Sequence, residues 1–262
     1  MPEKALVCLN HVDKTYNPGS VHEKAMFRDF NLSIREGDFV SVVGSNGSGK
    51  TTLLNLICGS LTLDAGKITL GGRPIAGLPE FKRSRYIGRV FQDPAKGTCA
   101  SLTILENMAL ADNKGAAYNL TRGVNRRRIN EYREMLSGLG LGLETAVNQQ
   151  VGSLSGGQRQ ALALLIATMT PIELLILDEH TAALDPKSSE TVMQLTERII
   201  RDRGLTALMV THNLKYAIRY GNRILMMHQG GVVLDAADED KAARSVDDLL
   251  KIFTEISVEL GN

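Results

Sequence analysis

Phosphate-binding chemistry is encoded at residues 39–54, where the segment FVSVVGSNGSGKTTLL joins an apolar strand to an apolar helix. Residues 44–51 match a complete G-x-x-x-x-G-K-[ST] loop: Gly44, Gly49, Lys50 and Thr51 fill its four fixed positions, and Ser45, Asn46, Gly47 and Ser48 lie between them. Small side chains let backbone N–H groups converge on phosphate oxygens, and the helix N-terminus adds partial positive charge. We predict that Lys50 reaches the β- and γ-phosphates of a nucleotide and that the Thr51 hydroxyl holds Mg²⁺. A glycine-rich turn that matches by chance is the alternative.

A second chemical feature is a pair of acids at the end of an apolar run. Residues 174–179 read LLILDE, and four consecutive apolar residues are typical of a strand buried on both faces. Acids at the carboxyl end of such a strand emerge at the crevice where open α/β sheets bind nucleotides. We predict that Asp178 coordinates Mg²⁺, directly or through water, and that Glu179 polarises the attacking water. A solvated acidic turn is the alternative.

A third motif opens a long apolar helix, where residues 151–160 read VGSLSGGQRQ. Ser155 at a helix start, followed by Gly156 and Gly157, makes a second exposed anion site. The heptapeptide LSGGQRQ resembles the signature motif of the ABC-type ATPases. That resemblance implies that Ser155 and the glycine backbone, with Gln158 in the same site, contact the γ-phosphate of ATP bound to a second copy of the chain. Two copies would then sandwich two nucleotides.

The resemblance covers nearly the whole chain and implies roles for further residues. Tyr16 in VDKTYN is similar to the aromatic residue that stacks on adenine, with packing on the core as the alternative. Gln92 in VFQDP resembles the Q-loop glutamine, which touches Mg²⁺ or the attacking water and joins the core to a helical insertion. Asp185 in ALD resembles the D-loop that crosses the dimer interface. His212 in MVTHN resembles the switch histidine at the γ-phosphate, although a lone histidine after a strand is more often structural.

One departure from the family concerns the residue after Glu179. Family members commonly carry proline there, whereas this chain has His180. Because proline restricts the residue before it, His180 either alters how rigidly Glu179 is held or is a packing residue, and we expect the latter.

The segments DEHTAALDP, LMVTHN and YGNRILMMHQG also resemble a smaller bacterial group. Its ATPases accompany a lipoprotein-type binding protein and a permease of the branched-chain amino-acid importer type, and some are assigned to tryptophan or tyrosine uptake.

Turn signals and apolar patterning divide the chain into elements. We predict strands at 6–9, 30–34, 66–70, 85–90, 174–177, 207–210 and 224–227, and helices at 103–111, 125–139, 187–203, 214–220 and 246–256. Strand–helix alternation favours a mainly parallel sheet. With the resemblance, we expect an α/β P-loop NTPase (RecA-like) fold with an N-terminal antiparallel β subdomain and an inserted α-helical subdomain. The core would comprise 5–92 and 170–262 of a single domain, and the insertion 93–169.

The composition narrows the class of protein. The chain has 262 residues, 43% hydrophobic composition and a formal net charge of +1, so no global field draws it to nucleic acid or an anionic bilayer. An arginine cluster at 122–133 contains acids and is interpreted as a solvated helix face rather than a nucleic-acid patch. Three widely spaced cysteines indicate free thiols in a reducing compartment. The N-terminus lacks the apolar region of a secretory signal.

The sequence thus predicts an ATP-hydrolysing transporter subunit with ATP and Mg²⁺ at Tyr16 and residues 44–52, Thr52 included. The resemblance implies a homodimer bound to transmembrane permease subunits at the cytoplasmic face of the membrane, served by an extracytoplasmic substrate-binding protein. We expect import of a small solute such as an amino acid. Export, lipoprotein release or mechanical signalling is the alternative. Translation-factor relatives usually carry two cassettes, and DNA-repair relatives need a long coiled-coil insertion between Lys50 and Asp178, for which this chain has no room.

Overall fold

A computed structural model of the chain describes residues 4–114 and 123–259. The chain forms two compact units. The first unit contains residues 4–83 and 204–259, and the second contains 84–114 and 123–203. Among the described residues, no helix combines the length and the apolar character needed to cross a bilayer.

An antiparallel sheet opens the first unit. Its strands lie in the order β2-β1-β4-β5, and their bounds are β1 (Ala5–Tyr16), β2 (Lys24–Arg35), β4 (Ala65–Leu70) and β5 (Arg73–Pro74). Buried and exposed residues alternate along the second half of β2, as expected for a strand with one face on a core, while irregular pairing interrupts the alternation in β1. This sheet confirms the predicted antiparallel β region.

The second sheet region of the first unit carries the phosphate-binding loop. Its strands are β3 (Phe39–Gly44), β8 (Thr206–Val210), β9 (Arg223–His228) and β10 (Gly231–Ala237). The strand β3 runs parallel to β8 and β9, while β10 pairs antiparallel with β9. All six residues of β3 and all five of β8 are buried, which explains their mostly apolar sequences.

The described residues of the first unit form the α-helices α1 (Lys50–Cys58), α2 (Glu80–Arg83), α7 (Leu214–Arg219), α8 (Asp238–Ala242) and α9 (Val246–Glu259). The helices α7 and α9 cover one face of the sheet through a cluster that includes Val43, Ala217, Ile224, Met226 and Leu249.

A buried polar network lies at the opposite end of β3 from the loop. There Asp38 accepts hydrogen bonds from Arg35, Asn222 and Arg223, and those bonds tie the ends of β2, β3 and β9 together.

The second unit combines a short parallel strand pair with helices. Its elements are β6 (Ile87–Val90), β7 (Leu174–Asp178), α3 (Ile104–Asp112), α4 (Ile129–Ser137), α5 (Gly156–Thr168) and α6 (Pro186–Arg203). The strands β6 and β7 pair in register from Ile87 opposite Leu174 to Val90 opposite Leu177. No strand occurs among the described residues of 95–169, so this stretch is helical and irregular, as predicted.

The arginine cluster behaves as a charged helix surface where it is described. Arg128 donates to Asp112 and Glu131 and lies over the ring of Tyr132. Arg122 falls outside the described residues. Acids neutralise Arg128, while Arg127 and Arg133 are exposed, so the solvated helix face stays a prediction that the pairing of Arg128 supports.

Candidate nucleotide-binding and catalytic site

The phosphate-binding loop joins β3 to α1 and is built around its glycines. Gly49 has φ +106, and a Cβ there would stand 2.8 Å from the Phe27 ring, so only glycine fits. Gly49 is also the N-cap of α1, and no side chain caps this helix. The first N–H groups of α1 therefore face the loop without a side-chain acceptor, which suits a phosphate.

Lys50 lies inside the curve of this loop. Its Nζ donates to the carbonyl oxygens of Gly44 at 2.7 Å and Ser45 at 2.9 Å, and the residue is only 5% exposed. Among the described residues, Ser48 Oγ is buried without a hydrogen-bond partner. The tip formed by Ser45, Asn46 and Gly47 is exposed, as is Thr51. The arrangement holds an ammonium group where nucleotide phosphates would bind.

Two further predicted residues lie beside the loop in the first unit. The Tyr16 hydroxyl is 3.0 Å from the Thr52 hydroxyl, which places the half-buried ring at the end of β1 next to α1. His212 follows β8, in which Val210 pairs with Val42 of β3. Since parallel strands end at one edge, exposed His212 emerges at the sheet edge that carries the loop. The first unit therefore brings Tyr16, the loop and His212 to one region.

The predicted acids lie at the end of β7 in the second unit. Asp178 is the last residue of β7 and accepts a hydrogen bond from Arg89 through Oδ2 at 2.7 Å. Glu179 follows in the left-handed backbone region, with φ +49. This conformation is uncommon for a residue with a Cβ and costs about 1 kcal/mol. Both acids are half-buried.

Gln92 is exposed and follows β6, the strand paired with β7. Asp178 and Gln92 therefore leave neighbouring parallel strands at the same edge. The segment between β6 and Gln92 is anchored by Phe91, whose carbonyl accepts a 2.9 Å hydrogen bond from Gln160 of α5. Gln160 is fully buried, so the start of the Gln92 loop is tied to the helix that follows the LSGGQ segment.

The LSGGQ segment forms the start of α5 through a capping box. Ser155 Oγ accepts from the Gln158 N–H at 3.2 Å, and Gln158 Oε1 accepts from the Ser155 N–H at 3.1 Å. The Ser155 hydroxyl keeps its own proton for donation to a further acceptor such as phosphate. Ser155 and Gly156 are exposed. At Gly157 a Cβ would lie 3.0 Å from the Ser188 side chain, which gives this glycine a packing role as well.

Asp185 caps the start of α6. Its Oδ1 accepts from the N–H groups of Lys187 and Ser188, both at 3.1 Å. The hydrogen bond from the Ser188 side chain, and to a smaller extent the one from the Ser188 backbone, hold the pKa of Asp185 below its usual value. The carboxylate is exposed and charged at neutral pH.

His180 points into the core of the second unit. It is 2% exposed, and its Nε2 lies 3.1 Å from Thr196 Oγ1 in α6. Thr196 donates its own proton to the Val192 carbonyl at 2.8 Å, so His180 donates to Thr196. Burial lowers the pKa of His180 to about 4, which keeps the imidazole neutral.

The donor set fits the nucleotide and the metal that the sequence implies. A hydroxyl at Thr51, an amide at Gln92 and a carboxylate at Asp178 are the oxygen ligands that Mg²⁺ prefers. Among the described residues, no group of three or more His, Cys, Asp or Glu side chains forms a metal cage.

Sequence reasoning missed one residue that touches the predicted site, Arg89. It lies in β6 between buried neighbours, and a buried strand rarely carries a charge without a partner. The charge at position 89 within an apolar strand therefore indicated a buried, oppositely charged partner. That partner could not be named without the register of β6 and β7.

Comparison with known proteins gives the relationships of the chain. The ABC transporter family profile matches residues 27–182. The chain is 44% identical over 245 residues to a tyrosine transport ATP-binding protein of Clostridioides difficile, covering 94% of this chain and 97% of that protein. It is 33% identical over 236 residues to the phosphonates import ATP-binding protein PhnC of Hyphomonas neptunium, covering 88% and 86%.

A solved structure shows the same architecture. It is a dimeric ATP-binding cassette in a post-hydrolysis state bound to ADP and Pi, with a TM-score of 0.74 and 31% identity, covering 88% of this chain and 98% of that one. The fold is therefore that of the P-loop ATPase cassettes. The extent of these matches shows that the chain belongs to the ABC transporter family, as an ATP-binding cassette that hydrolyses ATP.

Proposed function

We propose that this chain powers the import of an amino acid, tyrosine or a compound close to it, through a separate permease. The observation that carries this proposal is the 44% identity to a tyrosine transport ATP-binding protein over nearly the full length of both chains. A relative in phosphonate import supports the import direction. A second copy of the chain, permease subunits and an extracytoplasmic binding protein complete the proposed transporter at the cytoplasmic face of the membrane.

We assign nucleotide binding to the loop and its neighbours. Lys50 and the N-terminus of α1 bind the phosphates, and Tyr16 stacks on adenine. Thr51, Asp178 and Gln92 hold Mg²⁺, which when bound neutralises charge on the β- and γ-phosphates. The contacts that support these roles are those of Lys50 with the loop carbonyls and of Tyr16 with Thr52.

We assign hydrolysis to Glu179 and His212. Glu179 accepts a proton from water as the water oxygen attacks the γ-phosphorus, and the bond to the β–γ bridging oxygen breaks. His212 contacts the γ-phosphate. Ser155, Gly156, Gly157 and Gln158 of one copy complete the site of the other, and Asp185 lies at the interface between the copies. The exposed serine and glycine at the start of α5 support this assignment.

The division of labour within the chain is also a proposal. We assign nucleotide binding to a core of residues 5–92 and 170–262 and permease contact to the helical insertion 93–169. The compact unit that contains the insertion also includes β6 and β7, so Gln92 and Asp178 share a unit with the surface proposed to contact the permease.

Uptake by cells that encode this chain tests the function. Cells carrying wild-type protein or Lys50→Ala are supplied with radiolabelled tyrosine, tryptophan or a phosphonate. We expect Lys50→Ala to abolish high-affinity uptake of tyrosine or tryptophan, whichever the wild type imports, and to leave phosphonate uptake unchanged. Unchanged amino-acid uptake, or loss of efflux from preloaded cells instead, would contradict the proposal.

A further inference from the structure

A charged side chain lies between two parts of the proposed metal site. Arg89 occupies β6, where both Ile87 and Val90 are buried, and its side chain is 12% exposed. Burying a guanidinium is costly unless a partner compensates its charge. Asp178, the acid to which the proposed function gives the metal, supplies an opposite charge in direct contact with Arg89.

The contact with Asp178 has a defined geometry. Arg89 donates from Nη2 to Asp178 Oδ2 at 2.7 Å, and the acid's side chain is 18% exposed. In the parallel register Arg89 lies opposite Ile176, two residues before the acid. Only Oδ2 accepts in this bond, which restricts rotation of the carboxylate and leaves Oδ1 outside the contact with Arg89.

The other side of the guanidinium faces the Gln92 loop. The Arg89 carbon Cζ lies 4.7 Å from the centre of the Phe91 ring, in cation–π contact. The backbone of Phe91 is in turn held by Gln160. Gln92, the other proposed metal contact of this unit, is the next residue along the chain.

We propose that Arg89 is a positioning residue for ATP hydrolysis. It holds Asp178 through Oδ2, so that Oδ1 is presented to Mg²⁺, and it holds the Gln92 loop through Phe91. Hydrogen-bond partners of metal-binding carboxylates contribute to metal affinity in this way. The inference rests on the proposed assignment of Asp178 to the metal.

Nucleotide binding with and without magnesium separates this role from simple stabilisation. The affinity of the full chain for ADP carrying a fluorescent methylanthraniloyl group is measured in EDTA and in Mg²⁺. The ratio of the two dissociation constants is the magnesium increment. We expect Arg89→Met to leave the affinity in EDTA unchanged and to reduce the increment about tenfold. Arg85→Met, at an exposed arginine four residues earlier, is the matched control and should change neither value.

The Asp178→Asn variant separates failure of this inference from failure of the proposed function. An Asn variant that keeps the increment would overturn both. If it loses the increment while Arg89→Met keeps it, only the role of Arg89 is wrong. In the Asp178→Asn background, Arg89→Met should cause a further loss of less than about threefold, because the route through Asp178 is already removed and only the contact with the Gln92 loop remains. A further tenfold loss would overturn that mechanism.

Circular dichroism and thermal unfolding check that each variant folds. If Arg89→Met does not fold, Arg89→Lys takes its place. Lysine keeps the positive charge but lacks the planar guanidinium, whose several N–H groups hold a carboxylate in one orientation. We then expect the magnesium increment to fall about threefold, and an unchanged increment would overturn the proposal.

Discussion

At the scale of single residues, Glu179 combines an unusual backbone with the position expected of the general base. Replacing it by glutamine keeps the shape and removes the group that accepts a proton. We expect Glu179→Gln to slow ATP hydrolysis roughly 10²–10⁴-fold and to leave ADP affinity unchanged. Phosphate release and equilibrium nucleotide binding measure the two effects.

The control for this prediction is Glu197→Gln, at an exposed glutamate of α6, which should hydrolyse ATP at the wild-type rate. Hydrolysis at the normal rate by Glu179→Gln would show that another group accepts the proton.

His180 gives a prediction about pH. Its folded pKa of about 4 lies below the ordinary value of 6.5 because burial disfavours the charged ring. The unfolded chain therefore binds a proton between pH 6.5 and 4 that the folded chain does not. The contribution of His180 to stability is complete above pH 6.5 and is lost progressively as the pH falls toward 4.

Urea unfolding of the wild type and of His180→Gln at pH 4.5–7.5 tests this linkage. Glutamine can still donate to Thr196 but does not titrate. We expect the variant's free energy of unfolding to fall less steeply below pH 6.5. Equal pH dependence in the two proteins would show that His180 is not buried in its neutral form.

At the scale of elements, α1 is held at its C-terminal end by a buried arginine. Arg83 donates to the carbonyls of Leu56 at 2.6 Å and Ile57 at 3.0 Å, and also to those of Ala76 and Leu78. A cation at a helix C-terminus opposes the partial negative charge there. The helix that presents Lys50 at its start is thus anchored at its end.

We expect Arg83→Met to lower the free energy of unfolding by about 3 kcal/mol, because it leaves buried carbonyls without donors. Urea denaturation measures the change. Lys82→Met, one residue earlier and exposed, should stay within about 0.5 kcal/mol of the wild type. A loss below about 1 kcal/mol in Arg83→Met would show that water replaces the guanidinium.

Local patterning predicted the elements that carry the motifs. The runs at 39–44 and 174–177 are mostly apolar, and both lie in buried strands. The strand β1 is longer than predicted, because register shifts between Leu9 and Val12 and again beyond Val12 break the alternation of apolar and polar residues. The edge strand β10 was missed since most of its residues are only partly buried.

The candidate site was predictable to the extent that it consists of contiguous motifs. The loop, the acids and the LSGGQ segment are each continuous in sequence, and each lies at the predicted end of its element. The pairing of Arg89 with Asp178 joins residues 89 positions apart, and the contact of His180 with Thr196 depends on how α6 packs. Such contacts follow from tertiary structure, which local patterns do not encode.

At the scale of the whole molecule, the exposed serine and glycine at the start of α5 are consistent with a site completed by a second copy. The structurally similar cassette bound to ADP and Pi is dimeric.

We expect the isolated chain to be a poor ATPase, with specific activity that rises as protein concentration rises, because the active form contains two copies. Phosphate release across a concentration series, with sedimentation to record the monomer fraction, measures this dependence. Activity strictly proportional to protein at dilutions where the chain is monomeric would contradict it.

If Glu179 is the general base, as proposed, its left-handed backbone makes the residue needed for hydrolysis unfavourable for stability. Glycine adopts φ +49 without the steric cost that a Cβ brings. We therefore expect Glu179→Gly to raise the free energy of unfolding by about 0.5 kcal/mol, because the steric relief exceeds the extra backbone entropy that glycine gives the unfolded chain. The same change should abolish hydrolysis, and thermal unfolding combined with an ATPase assay checks both effects. A library selected for heat resistance alone would drift toward glycine here, and only selection for transport would preserve the acid.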